Sequence, residues 1–162
     1  MKKIIALVIS LSILLCMLCA CGSSTKDVSM EDVQDAVTAA VDIDSFDNIS
    51  EKNERYIMMF GFSDDNTPDD YFIYCAKESA NCDEFGVFKA SDSSSVQEIK
   101  TAVEQYIANK PISNNVAAYF PEEMPKYENA KVWVEGEYIM YAILDNDSLK
   151  SVSDAFSGVF SD

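Results

Sequence analysis

Two stretches of the chain follow one pattern. EFGVFKASDSSSVQEIKTAVEQYI, starting at Glu84, lies over EYIMYAILDNDSLKSVSDAFSGVF, starting at Glu137, at a constant offset of 53 residues. Glu84 meets Glu137, Phe88 meets Tyr141, and Asp92 meets Asp145. Each stretch opens with an aromatic and β-branched run of strand character and continues with helical periodicity. Val96, Ile99, Val103, Tyr106 and Ile107 fall on one helical face, and Leu149, Val152, Phe156, Val159 and Phe160 repeat that spacing. A further strand precedes each unit: YFIYCAK before the first, and Lys131 to Val134 before the second, turning near Glu135-Gly136. The expectation is an α+β domain: a four-stranded, mainly antiparallel sheet from two β-β-α units, with the helices packed on one face, plus an N-terminal helix.

Local signals place the remaining elements. Ser29 and Asp32 form a capping-box pattern ahead of a helix from about Met30 to Val41. Asp42 to Ser50 reads as a polar break, and Glu51 to Phe62 as a short helix with Gly61 as its C-cap. Pro68 marks the loop from Ser63 to Asp70. The helix from about Ser95 is expected to stop at Asn109, ahead of Pro111. A last helix runs from about Asp147 to Phe160.

The N-terminus carries an address. Lys2 and Lys3 precede an uncharged run from Ile4 to Ala20, too short for a spanning helix and suited to a signal-peptide core. Leu18-Cys19-Ala20-Cys21 reads as a lipobox, with the Cys21 thiol as the point of lipidation. A metal site formed by Cys16, Cys19 and Cys21 lacks a second ligand pair and sits in an apolar leader. An uncleaved membrane anchor would give nearly the same location. The expected organisation is a signal peptide at 1–20, a lipidated cysteine and flexible tether at 21–28, and a single domain at 29–162. Removing Lys2 and Lys3 would move the formal charge from -16 to -18. Such an acidic chain is a poor partner for nucleic acid or for an anionic membrane surface.

The second half resembles a known group. DEFGVFKASD, opening with Asp83-Glu84 and running through Lys89, Ala90 and Asp92, is followed by Val132 to Tyr138. These runs, from about Phe60 to Phe160, resemble small Gram-positive lipoproteins that carry the domain of unknown function 4358. Glu135 stands where lysine is common in that group. The resemblance implies a fold and an address but no activity, so no functional residues are carried over.

Recognisable catalytic patterns are scarce. The chain has no histidine, which excludes Ser-His-Asp and Cys-His catalysis and histidine-based zinc sites. Its five glycines are isolated and form no phosphate loop. Ser23-x-x-Lys26 lies in the tether. Asp64, Asp65, Asp69 and Asp70 could gather a weak calcium ion, but neither that stretch nor Asp145 to Asp154 has the glycine and glutamate of a calcium hand. Asp145 and Asp147 read instead as helix caps. Glu84, Glu137, Glu122 and Glu123 are the carboxylates from which a glycosidase-type pair could be drawn. Tyr119, Phe120, Tyr127 and Trp133 are candidates for an aromatic ligand groove, though a small sheet uses such residues in its core. Cys75 and Cys82 flank the first hairpin turn, where an oxidising compartment would permit a disulfide.

These observations point to a non-catalytic lipoprotein domain, held to the outer face of the cytoplasmic membrane through Cys21 and binding an envelope protein or small ligand. No cofactor, metal or nucleic acid is implied. The competing expectation is an envelope hydrolase acting through paired carboxylates.

Overall fold

The computed structural model describes residues 28–52, 55–63 and 66–161. Cys21, its tether, the leader, Asp64 and Asp65 therefore lie outside the described residues. In chain order the helices are α1 (Met30–Ala39), α2 (Ile49–Lys52), α3 (Val96–Ser113), α4 (Val116–Tyr119), α5 (Met124–Asn129) and α6 (Asn146–Phe160). The strands are β1 (Phe46–Asn48), β2 (Asp70–Ala76), β3 (Glu84–Lys89), β4 (Lys131–Glu135) and β5 (Tyr138–Ile143). Short 3-10 turns occupy Ile43–Ser45, Tyr56–Phe60 and Pro121–Glu123.

Local chemistry starts α1 and α6 as the sequence indicates, whereas the short helix expected over Glu51 to Phe62 is divided between α2 and the 3-10 turn at Tyr56–Phe60. Ser29 Oγ accepts from the Asp32 N–H at 3.1 Å while the Ser29 N–H donates to Asp32 Oδ2 at 3.1 Å, completing the capping box. Asp145 Oδ1 accepts from the N–H groups of Asp147 and Ser148 at 2.9 and 3.0 Å, capping α6. The 3-10 turn at Tyr56–Phe60 ends at Gly61, whose φ of 69° suits a residue without Cβ.

The sheet has five antiparallel strands in the order β1-β2-β3-β5-β4, one strand more than expected. The additional strand is β1, inside the stretch read as a polar break. Three residues are too few to show periodicity. Pairing and packing make it a strand: Phe46 stands opposite Ala76, and its ring meets Phe85 edge-on at 5.2 Å.

The helices cover both faces of the sheet, which corrects the expectation of a single covered face. On one face, Val33 and Val37 of α1 and Leu149, Val152 and Phe156 of α6 pack on Phe72, Tyr74, Phe85, Val87, Tyr138 and Met140. On the other, Ile99, Val103 and Tyr106 of α3, with Phe60, Val116 and Tyr127, pack on Ile73, Phe88, Ile139, Tyr141 and Ile143. The reason lies in β3 and β5. Their runs EFGVFK and YIMYAI do not alternate with polar residues, so both pleat faces are apolar and both need cover. The 53-residue offset keeps Phe88 and Tyr141 on one face, yet the helices that follow them depart to opposite faces.

Pro111 does not end α3. It lies inside the last turn, and the helix continues to Ser113. Proline deletes one donor, to the carbonyl four residues back, while the Asn114 N–H still reaches Lys110 O at 3.0 Å. That extra turn keeps Lys110 helical, four residues beyond Tyr106 and on the same face.

Candidate functional site

The second face of the sheet holds a buried ionic cluster. Glu84 begins β3 and is 1% exposed. Its side chain forms an ion pair with Lys110, whose side chain is 10% exposed. Tyr141 and Tyr106 donate to Glu84 Oε1 at 2.6 and 2.7 Å. Tyr56 donates to Oε2 at 3.0 Å, and the Cys75 thiol donates to the same oxygen at 3.2 Å. Lys110 Nζ also donates to the hydroxyls of Tyr106 and Tyr56, at 2.7 and 3.0 Å, and lies 5.0 and 5.7 Å from their ring centroids.

The fold positions each member. Cys75 stands directly opposite Glu84 across the β2–β3 ladder. Tyr141 stands opposite Gly86 on β5. A Cβ on Gly86 would lie 2.9 Å from the Tyr141 ring and 2.7 Å from the Phe72 carbonyl oxygen. The bare glycine therefore leaves room for the ring on its way to Glu84. Tyr106 and Lys110 come from one face of α3, and Phe60 stacks on Tyr106 at 4.0 Å, holding the Tyr56 turn against that helix.

Burial alone would raise the Glu84 carboxyl. The Lys110 charge and the hydrogen bonds from Lys110, Tyr141 and Tyr106 outweigh burial and hold it below the ordinary value. Burial and the nearby Glu84 charge raise Tyr56, Tyr106 and Tyr141. The same two causes push the Cys75 thiol up to about 12. Such a thiol is a donor rather than a nucleophile at neutral pH. The three Lys110 protons all have partners, and both Glu84 oxygens accept more than one bond. This arrangement holds β2, β3, β5, α3 and the Tyr56 turn in register, with both Glu84 oxygens occupied by donors of the cluster itself.

A second charged group anchors the residue next door. Lys126 of α5 pairs with Asp83 Oδ1 at 2.8 Å and Glu123 Oε2 at 2.7 Å, and it donates to Asn81 Oδ1 at 3.0 Å. Glu123 Oε2 also accepts from the Cys82 N–H at 2.7 Å. Asp83, just before β3, and Glu84, its first residue, thus each have a lysine partner from the helical layer.

An open groove of about 380 Å³ lies between α3, α5 and the start of β4. Ile107, Ala108, Pro111, Met124, Tyr127 and Val132 give it an apolar lining, and Glu104 and Glu128 add carboxylates. Lys100 lies 3.5 Å from Glu104. Tyr127 is buried, and its hydroxyl lies beside the Cys82 thiol, shut off from solvent.

The residues singled out in the sequence are scattered among these features. Tyr127 lines the groove, Phe120 packs beside it on the second face, and Tyr119 is exposed. Trp133 packs on the opposite face of the sheet, so the four aromatics do not form one groove. Cys75 and Cys82 are both free, and Cys75 faces Glu84. Glu84 pairs with Ile143 at one end of the β3–β5 ladder, whereas Glu137 adjoins Tyr138 at the other. Six positions along the strand direction put them roughly 20 Å apart, beyond the span of a glycosidase pair. Asp69 and Asp70 border β2, and among the described residues no three acidic or cysteine side chains are grouped to hold a metal. The buried cluster itself was missed. Its one sequence signal is a charged residue heading an apolar strand, and the premature stop at Pro111 hid its partner Lys110.

The family assignment rests on a match along the sequence. The domain of unknown function DUF4358 matches residues 42–144, well over half of the chain. The chain belongs to this family. The DUF4358 region starts before β1 and ends after β5, so it includes the whole sheet, the Glu84–Lys110 cluster and the groove. It begins earlier than the resemblance at Phe60 to Phe160 and stops short of α6. Helices α1 and α6, which cover the first face, flank the DUF4358 region on either side. No curated protein and no solved structure matches the chain. No helix among the described residues is long and apolar enough to cross a membrane.

Proposed function

We propose that this chain is a lipid-anchored, non-catalytic binding module on the outer face of the cytoplasmic membrane. The groove between α3, α5 and β4 is its ligand seat. The observation that carries this reading is the contrast between two places. The reactive side chains are consumed by mutual bonding in the closed Glu84 cluster, whereas the groove is concave, apolar and open. Glu104 and Glu128 favour a cationic group on an apolar body. The ligand is a small molecule of that kind or a side chain of an envelope protein. Anchoring rests on the uncharged leader, the Cys21 lipobox and the likeness to lipoproteins of this family.

Two variants test the two halves of the proposal. Cys21→Ala should abolish incorporation of labelled fatty acid and leave the protein unprocessed or released, while retained label refutes the anchor. Ala108 is exposed on the groove wall, so Ala108→Trp fills the groove without disturbing the core. Affinity capture from native membranes should recover a ligand or partner with the wild type and lose it with Ala108→Trp. Equal recovery by both proteins refutes the groove.

A further inference from the structure

The two edges of the sheet are unlike each other. The β1 edge is three residues long, carries Asp47 and runs straight into α2, which blunts it. The β4 edge has five residues, Lys-Val-Trp-Val-Glu, with no proline or bulge. Val134 on this edge is a large apolar residue left 39% exposed. Among the described residues no strand lies on its outer side.

The strand is complementary to itself. Laid antiparallel on a second copy with Trp133 at the centre, Lys131 faces Glu135 of the copy, Val132 faces Val134, and Trp133 faces Trp133. Both ends then match in charge. The backbone agrees with that register. Glu135 and Tyr138 close a two-residue turn at Gly136-Glu137, and such a closing pair exchanges both hydrogen bonds. Bonding alternates along the ladder, so Lys131, Trp133 and Glu135 turn their N–H and C=O groups toward β5. Val132 and Val134 turn theirs outward. With Trp133 at the centre, Val132 of each copy meets Val134 of the other, and these outward groups bond reciprocally. Lys131 and Glu135 then occupy the closely spaced, non-hydrogen-bonded positions, where opposite charges approach best.

We propose that β4 pairs with β4 of a second copy of this chain, antiparallel about a two-fold axis at Trp133, joining two five-stranded sheets into one of ten. The two-fold preserves sheet faces, so α1 and α6 of both copies cover one side and the α3 layers the other. The chain is strongly acidic, and general repulsion between copies makes the two Lys131–Glu135 contacts decisive for association.

The test uses the full-length protein in detergent, with mass measured by sedimentation equilibrium and corrected for bound detergent. Wild type should dimerise. Lys131→Glu alone and Glu135→Lys alone each convert two attractive contacts into two repulsive ones and should weaken the dimer roughly tenfold or more. The double swap restores opposite charges and should restore the dimer. In membranes, Trp133→Cys should form an intermolecular disulfide, because the two-fold brings these positions within bonding range. Lys131→Cys should not, since its symmetry mates lie roughly 13 Å apart in this register. A monomeric wild type, a dimer indifferent to the single swaps, or equal cross-linking at both positions overturns the proposal.

Discussion

Glu84 and Lys110 meet across the boundary between sheet and helix. The carboxylate heads β3, the ammonium sits in the last turns of α3, and their side chains are 2% and 10% exposed. Buried ion pairs need not stabilise a fold relative to apolar replacements, but breaking one strands a charge. Glu84→Gln and Lys110→Met should each cost about 3–5 kcal/mol, and the double variant should cost less than the sum of the two. Denaturant midpoints provide the measurement. Additive losses would show that the two side chains are not coupled.

The pH dependence should reverse sign when Lys110 is removed. In the wild type the folded Glu84 carboxyl lies below its ordinary value of 4.5. Its contribution is complete above that value and disappears as pH falls through the lower folded value. Stability should therefore be flat in the weakly acidic range and drop below about 4.5. In Lys110→Met the Lys110 charge and its hydrogen bond are gone, and burial dominates and raises the carboxyl. The contribution is then present below the unfolded value and lost as pH rises through the folded one. That variant should gain stability on mild acidification from neutrality. A profile parallel to the wild type would refute the role given to Lys110.

Cys75 should behave as a protected donor. Its thiol is pushed from 9.0 up to about 12, so its stabilising contribution holds below 9.0 and fades as pH rises through about 12. Native protein treated with iodoacetamide at neutral pH should leave Cys75 unmodified, whereas denatured protein should be alkylated there. Mass spectrometry of the peptides distinguishes the two. Alkylation of Cys75 at the same rate in native and denatured protein would contradict the half-buried, hydrogen-bonded geometry.

Gly86→Ala should destabilise the sheet by about 1–3 kcal/mol, because the new methyl meets the Phe72 carbonyl and the Tyr141 ring at under 3 Å. Displacing Tyr141 also weakens its hydrogen bond to Glu84. Adding Tyr141→Phe to Gly86→Ala should therefore cost less than the two changes do separately. Thermal unfolding of the four proteins measures this, and a neutral Gly86→Ala would remove the proposed reason for the glycine.

Short-range features of this chain are legible from neighbouring residues alone. Ser29 with Asp32 and Asp145 with Ser148 act over three residues, so these caps were legible without any tertiary information. The apolar faces at Ile99, Val103 and Tyr106 and at Leu149, Val152 and Phe156 were legible for the same reason: one helix fixes its own spacing. Tertiary structure alone decided that Phe46–Asn48 becomes a strand, since its partner is Tyr74 to Ala76 and three residues carry no period. It also decided which sheet face each helix covers. Both faces of β3 and β5 are apolar, so hydrophobicity permits either side, and the chain path makes the choice. The Glu84 cluster belongs to this second class. Its members Tyr56, Cys75, Tyr106, Lys110 and Tyr141 look like ordinary core or surface residues one at a time. They become a site only when five elements close around one carboxylate, and the cost of burying that charge requires all of them together.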